Sequence, residues 1–315
     1  MRTKPLAGLH GFLRLLLSLG GCFAMPLLAA NSAAAQTVIQ TATQADIEAV
    51  QMPAWLVREG RVQPLAVGME VKHGDRIRTG GAARVYVMLA EGSSVKLGEN
   101  AELGVYSRSL KPASSFKGAL DVVKGAFRLT TGVLRKVRGQ REIDVRVGTA
   151  TAGIRGTDLW GKSDAERDLI LLIEGRIEIR HAGQTLEMAE PLTYFAVPKN
   201  APTPAVASVD PEQFKLWARE TEILPGDGSA QRGGLWRVLL GRVGSEREAL
   251  VLYDRARNAG YAAQIKVLPA GGGKFDKGGE WEYEVVLPQL ASEQEAMVVA
   301  RKVKLQLGFE AVPAK

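Results

Sequence analysis

From Leu56 to Val197 the hydrophobic and polar residues alternate in short runs set apart by glycines. Arg84-Val85-Tyr86-Val87-Met88-Leu89 and Ser94-Val95-Lys96-Leu97 put every second side chain on one face, the period of a half-buried strand. Further runs fall at Val122-Val123, Ala126 to Leu129, Ile143 to Val147, Leu169 to Ile173 and Arg176 to Arg180. They recur about every ten residues, and no helical periodicity lies between them. This spacing predicts a mainly β domain over 56–200, a β-sandwich or β-solenoid, and excludes βαβ units there.

The pattern breaks at Pro198, Pro202 and Pro204, and Asp210-Pro211 then opens a short helix on which Phe214, Trp217, Ala218 and Thr221 share a face. Trp217 is expected to pack back onto the β domain. Residues 201–224 therefore read as a Pro-rich connection with a short helix. Leu224-Pro225-Gly226-Asp227-Gly228-Ser229 has the composition of a flexible chain, which makes 225–233 a linker. Beyond it, Ser245-Glu246-Arg247-Glu248-Ala249 and Ser292-Glu293-Gln294-Glu295-Ala296 are two capping boxes, each opening a helix that ends at Gly260 or Gly308. Strands are expected before and after each helix. Residues 234–315 thus read as a small α+β domain of order βαββαβ, ferredoxin-like, with both helices on one face of a four-stranded sheet. Alternation turns Trp236, Val238, Leu240, Tyr283, Val285 and Leu287 toward the helices. It leaves Arg237, Leu239, Glu282, Glu284 and Val286 on the open face.

Charge changes this picture little. The chain of 315 residues has 41 Lys+Arg against 34 Asp+Glu, a formal +7. Arg2, Lys4 and Arg14 lie in the first 35 residues, which hold no acid, so the remainder carries 38 − 34 = +4. That balance does not describe a nucleic-acid binder. Residues 1–35 have the layout of a cleaved signal peptide: basic start, apolar stretch from Leu13 to Ala30, and Ala33-Ala34-Ala35 at the cleavage position. Export to the periplasm follows, with 36–55 as the mature N-terminal segment and no transmembrane span expected after cleavage. Leu19-Gly20-Gly21-Cys22 offers a second reading, a lipoprotein anchored through Cys22, the chain's one cysteine.

Candidate chemistry is sparse. Beyond the signal only His73 and His181 remain, each beside a turn glycine, so no metal site is expected and no cofactor. Without a G-x-S-x-G elbow or a histidine near a nucleophile, the chain reads as not an enzyme. Asp75, Asp158 and Glu174 are the carboxylates that would form an acid pair if the fold gathered them. Ala270-Gly271-Gly272-Gly273-Lys274-Phe275 lacks the Ser or Thr of a phosphate loop and reads as a connection. The basic run with Arg135, Lys136, Arg138 and Arg141 reads as a solvated loop suited to anionic envelope polymers.

Two stretches resemble the FecR family of bacterial envelope proteins. One is Gly74-Asp75-Arg76-Ile77-Arg78-Thr79-Gly80 with Glu91-Gly92-Ser93 after it; the other is Thr149-Ala150-Thr151-Ala152-Gly153-Ile154-Arg155-Gly156-Thr157-Asp158-Leu159, followed by Glu174-Gly175-Arg176-Ile177. Ala150 and Leu159 stand where the family has proline and an aromatic residue. Gly153 and Gly156 flanking Ile154-Arg155 suit a tight corner, in which Arg155 would satisfy carbonyls or pair with Asp158 and Thr157 would belong to the same structural turn. The tail, 234–313, resembles a SPOR domain at Trp236 to Gly241 and Tyr283 to Pro288, with Leu239 in place of the family's glutamine. The SPOR resemblance implies binding of peptidoglycan glycan strands on the face bearing Arg237, Leu239, Glu282, Glu284 and Val286. Together these imply a non-catalytic periplasmic protein held on the cell wall, with another envelope protein as a second partner. The FecR resemblance implies an alternative, a component of cell-surface signalling. Family members of that kind carry a cytoplasmic segment ahead of a membrane helix. Only about a dozen residues precede the apolar stretch here, so signalling would pass through a separate membrane partner.

Overall fold

The strand Ser115–Thr130 is 16 residues long and belongs to two sheets. Its first half pairs with Glu102–Leu110 and, in parallel, with Arg141–Val147; its last residues pair with Ser94–Leu97 and Asp158–Ser163. The change of sheet falls at Gly125, whose φ is +84° and where a Cβ would stand 2.4 Å from the Ala101 Cα. Only glycine fits both conditions. The computed structural model describes residues 45–110, 115–132, 141–199, 206–272 and 280–315. The signal peptide, Cys22, Pro202, Pro204, the basic residues Arg135, Lys136 and Arg138, and Gly273-Lys274-Phe275 lie outside the described residues, as does the Arg141 side chain.

On one side of the crossing, a sheet runs Arg61–Pro64, Ala54–Arg58, Arg76–Thr79, Glu102–Leu110, Ser115–Thr130, Arg141–Val147, Ala150–Ile154, Ile177–His181, Gln184–Met188. On the other, the order is Ala45–Gln51, Arg84–Leu89, Ser94–Leu97, Ser115–Thr130, Asp158–Ser163, Arg167–Glu174, Thr193–Pro198, Ala207–Ser208. The molecule is mainly β. Inward residues of the first sheet (Ile77, Leu103, Leu120, Val145, Ile179) and of the second (Val85, Val87, Leu97, Leu129, Ile170) share one buried cluster, so the two sheets form a sandwich. Strand Ala45–Gln51 is an integral member of the second sheet, which moves the start of the β domain ahead of residue 56.

Helix α1, Pro211–Arg219, covers the outer face of the second sheet. Asp210 caps it, accepting from Glu212 N and Gln213 N. Trp217 stacks on buried Trp160 with ring centroids 5.4 Å apart and planes 1° from parallel, and meets Tyr194 edge-on at 5.7 Å. This is the packing expected of Trp217.

After Gly228 the chain forms the elements expected from the two capping boxes. Helix α2, Glu246–Asn258, starts at Ser245, and helix α3, Glu293–Leu307, starts at Ser292 and ends at Gly308. Four antiparallel strands lie in the order Gln264–Pro269, Trp281–Leu290, Trp236–Val243, Val312–Ala314. Ala249 and Ala256 of α2 and Ala296, Val299 and Val303 of α3 join Val238, Leu240, Val285 and Leu287 in the same buried cluster as the sandwich.

The segment read as a flexible linker is fixed. Ser229–Gln231 is a strand that pairs with Ala49–Gln51 of the sandwich, and Ala230 pairs with Leu290 of the C-terminal sheet. The Glu295 carboxylate, 4% exposed, accepts three backbone N–H groups: Gly226 at 2.5 Å, Gly228 at 2.5 Å and Ser229 at 2.8 Å. Lys302 Nζ donates to the Asp227 carbonyl at 2.7 Å. Burial lowers the Lys302 pKa, opposed by Asp227 and Glu295. Glu295 donates its N–H to Ser292 Oγ as a capping box requires, but its carboxylate serves the linker and not the cap. Removing that carboxylate leaves three backbone donors without an acceptor, two of them, Gly228 N–H and Ser229 N–H, buried. Glu295→Ala is expected to lower unfolding stability by about 3 kcal/mol or more, and Glu293→Ala, on the exposed side of the same turn, by under about 1 kcal/mol, in urea titrations followed by tryptophan fluorescence.

Candidate functional site

Thr149 to Leu159 passes from one sheet to the other. Strand Ala150–Ile154 lies in the first sheet, Arg155-Gly156-Thr157 turns, and Asp158–Ser163 enters the second. A second turn beside it, Glu174-Gly175-Arg176, carries the chain back from Arg167–Glu174 to Ile177–His181. The two turns are locked together. Gly175 has φ +94°, and a Cβ there would stand 2.4 Å from the Gly156 carbonyl oxygen. Thr157, buried, receives and returns bonds: its N–H donates to Thr131 Oγ1 at 2.7 Å, its carbonyl accepts from Thr131 N at 3.0 Å, and its hydroxyl donates to the Arg176 carbonyl at 3.0 Å. The Glu91-Gly92-Ser93 turn reaches the same end, since Ser94 pairs with Thr130 and Thr130 with Asp158.

Asp158 does not pair with Arg155. Its carboxylate is held by Arg128, which donates from Nε at 3.0 Å and Nη2 at 2.7 Å, because Arg128 stands on the neighbouring strand of the second sheet. Arg128 also reaches Glu222 at 3.3 Å, and Lys96 reaches the other Glu222 oxygen at 2.6 Å, tying the segment after α1 to this sheet. Gly153 leaves room for Arg180, which crosses it to bond Asp144 at 2.7 Å. Arg155 is exposed, and among the described residues it makes no hydrogen bond or ion pair.

Of the three acids singled out in the sequence, Asp158 and Glu174 are cross-strand partners. Asp75 belongs to a different cluster: buried at 1% exposure, it accepts from Arg58 at 2.9 and 2.7 Å and from Lys72 N at 2.7 Å. No acid pair of catalytic kind results, since Asp75 and Asp158 are each held by an arginine fork. A further acid escaped the sequence reading. Asp168 accepts from Lys199 Nζ at 2.5 Å, Ser163 Oγ at 2.7 Å and both Thr149 N and Oγ1 at 3.0 Å. Burial alone would raise its pKa, but these donors outweigh it and hold the carboxyl below its ordinary value. Its only sequence signal is an acid abutting the apolar run Leu169 to Ile173.

The C-terminal sheet face expected to be open is closed at its centre. Arg237, Leu239 and Glu282 are half-buried, while Glu284 is 2% and Val286 0% exposed. Arg242 bonds Glu284 at 2.5 Å and approaches Glu282 at 3.8 Å; Arg237 approaches Glu284 at 3.8 Å. Strand Trp236–Val243 shifts register between Leu239 and Gly241, which brings Arg242 opposite Glu284. Strict alternation would have hidden Arg242 on the helix side, so the sequence reading missed it.

Residues 75–178 match the family described as FecR protein. This span carries a FecR domain. It begins at buried Asp75 and ends at Glu178, so both turns of the corner lie inside it. Two crystal structures of a "putative anti-sigma factor" from Parabacteroides distasonis ATCC 8503 are similar at 14% identity and a TM-score of 0.37. The one at 1.65 Å resolution aligns over 76% of this chain and 98% of its own, and the one at 2.50 Å over 74% and 91%. No curated protein matches the chain.

Within the FecR domain the corner residues separate by role. Gly175→Ala is expected to cost several kcal/mol, about 3 or more, whereas Arg155→Ala should change stability by less than about 0.5 kcal/mol, both read by thermal and urea unfolding. Asp168 gives a pH signature. Its folded pKa is below the unfolded one, so its contribution is present above the ordinary carboxylate range and is lost as pH falls through the folded value. Acid titration of unfolding stability should therefore show a steeper decline in the native chain than in Asp168→Asn.

Proposed function

We propose that this protein is a non-catalytic regulator of FecR-type signalling in the bacterial envelope, acting through a separate membrane protein. The observation that carries the reading is the FecR domain at 75–178, which contains a sheet-to-sheet corner tied together by Thr131 and Thr157. FecR-type regulators act with partner membrane proteins. No helix among the described residues is long and apolar enough to cross a membrane, and the proposal assigns that crossing to the partner. The acids of the domain are held by cations, Asp75 by Arg58, Asp158 by Arg128 and Asp168 by Lys199, an arrangement suited to a rigid interaction module.

Wall attachment through the C-terminal sheet is the weaker reading. A glycan seated there would have to displace Arg242 and Arg237 from Glu284.

Photo-crosslinking from exposed FecR-domain positions tests the proposal in whole cells. Probes at Val123 and Glu174 of the full chain are expected to give an adduct with one integral membrane protein, and a probe at Leu305 on α3, outside the domain, is expected to give none. Absence of a membrane-protein adduct from either domain position would contradict it. Co-sedimentation with purified peptidoglycan that is lost in Arg242→Glu would favour the wall-attachment reading instead.

A further inference from the structure

We infer that the edge strand Gln184–Met188 of the first sheet pairs antiparallel with the same strand of a second copy of this chain, Leu186 against Leu186, in a two-fold dimer. This goes beyond the signalling role and does not depend on it.

The strand is the last of its sheet. Among the described residues it pairs only with Ile177–His181, so no strand lies along its outer side. Sheet edges are ordinarily blocked by proline, lysine, short length or a covering element. The other described edges follow that rule. Arg61–Pro64 ends in proline beside α2, and Glu70–Val71 and Ala207–Ser208 have two residues each. Gln264–Pro269 holds Lys266 and ends in proline, and Val312–Ala314 is centred on Pro313. Gln184–Met188 has five residues in unbroken register, no proline and no lysine, and leaves Leu186 37% exposed.

The hairpin decides which main-chain groups face outward. Ala182 and Gly183, with φ +47° and +78°, form a two-residue turn closed by His181 and Gln184. In such a hairpin the closing pair exchanges hydrogen bonds, the next pair does not, and the two kinds alternate along the ladder. Gln184, Leu186 and Met188 therefore bond toward Ile177–His181, while Thr185 and Glu187 turn their N–H and carbonyl groups away. A second copy centred on Leu186 sets Thr185 opposite that copy's Glu187, and Glu187 opposite its Thr185, so every outward group finds a complement. Centring on Glu187 would oppose two like charges, and centring on Thr185 would run Glu187 against the Gly183 turn.

The side chains agree with this register. Leu186 lies on the inner side, opposite buried Ile179 and two residues from buried Met188. It would meet its counterpart in a non-hydrogen-bonded pair, where side chains come closest, and continue the apolar layer of the sandwich across the junction. On the outer side Glu187 keeps Arg176 and gains the Thr185 hydroxyl of the second copy. Arg180 is the cross-strand neighbour of Thr185, so the acidic end of one row meets the basic end of the other.

The junction is small and the dimer is expected to be weak, so two readouts on the full chain test it. Cys22→Ser removes the chain's one cysteine. In that background Leu186→Cys is expected to oxidise to a disulfide-linked dimer about tenfold or more faster than Val62→Cys, which is 57% exposed on the opposite edge of the same sheet. Sedimentation velocity up to about 1 mM should show a concentration-dependent dimer in wild type. Leu186→Lys sets two like charges against each other, and Thr185→Pro removes only an outward N–H. Each is expected to weaken the dimer about fivefold or more with the wild-type urea midpoint. Equal oxidation rates at the two cysteines, a monomer throughout, or a dimer that both variants leave intact overturns the inference. A chain that stays monomeric while another protein adds a strand to this edge overturns it as well.

Discussion

One carboxylate decides how the molecule is organised. Glu295 accepts the N–H groups of Gly226, Gly228 and Ser229, and so converts a glycine-rich stretch into a fixed turn followed by a strand. That strand, Ser229–Gln231, is shared between the sandwich and the C-terminal sheet, so the hydrophobic core runs from one to the other without a break. A charge this buried is tolerable because both carboxylate oxygens accept backbone N–H groups, and loss of the acceptor leaves those donors without a partner. The C-terminal α+β unit is in consequence part of the body that carries the FecR domain.

The sandwich has an analogous dependence on backbone geometry. Gly125 lets one long strand serve both sheets, and the Gly156 and Gly175 turns carry the chain across and back at one end. Threonines 131 and 157 satisfy the backbone groups that such turns would otherwise leave without partners. The residues that resemble the family are mostly those that make this crossing possible, which is why Arg155, having no such duty, stands out.

Much of the fold was legible in the chain. Alternation at Val85, Val87 and Leu89 and at Val95 and Leu97 marks the buried face correctly, and Ser245 and Ser292 mark both helix starts. What escaped are long-range partnerships. Val122-Val123 and Ala126 to Leu129 read as two strands because local pattern cannot show that Gly125 bends a single one. Pro225 to Ser229 reads as flexible because composition reports backbone freedom and says nothing of Glu295, 67 residues from Gly228. Arg155 and Asp158 look like partners in sequence, yet Asp158 is taken by Arg128, 30 residues upstream and adjacent in the sheet. A register shift hides the pairing of Arg242 with Glu284, and with it the closed centre of the C-terminal face.

The claim that the sandwich and the C-terminal unit form one body rests most directly on the protection of the segment between them. Residue-resolved amide hydrogen exchange on the full chain measures it. The account predicts that Gly226, Gly228 and Ser229 exchange about as slowly as core strand amides such as Leu129 and Val238, since their donors open only when the body does. Exchange of those three amides at the rate of an unstructured chain, with the sandwich core still protected, would contradict it.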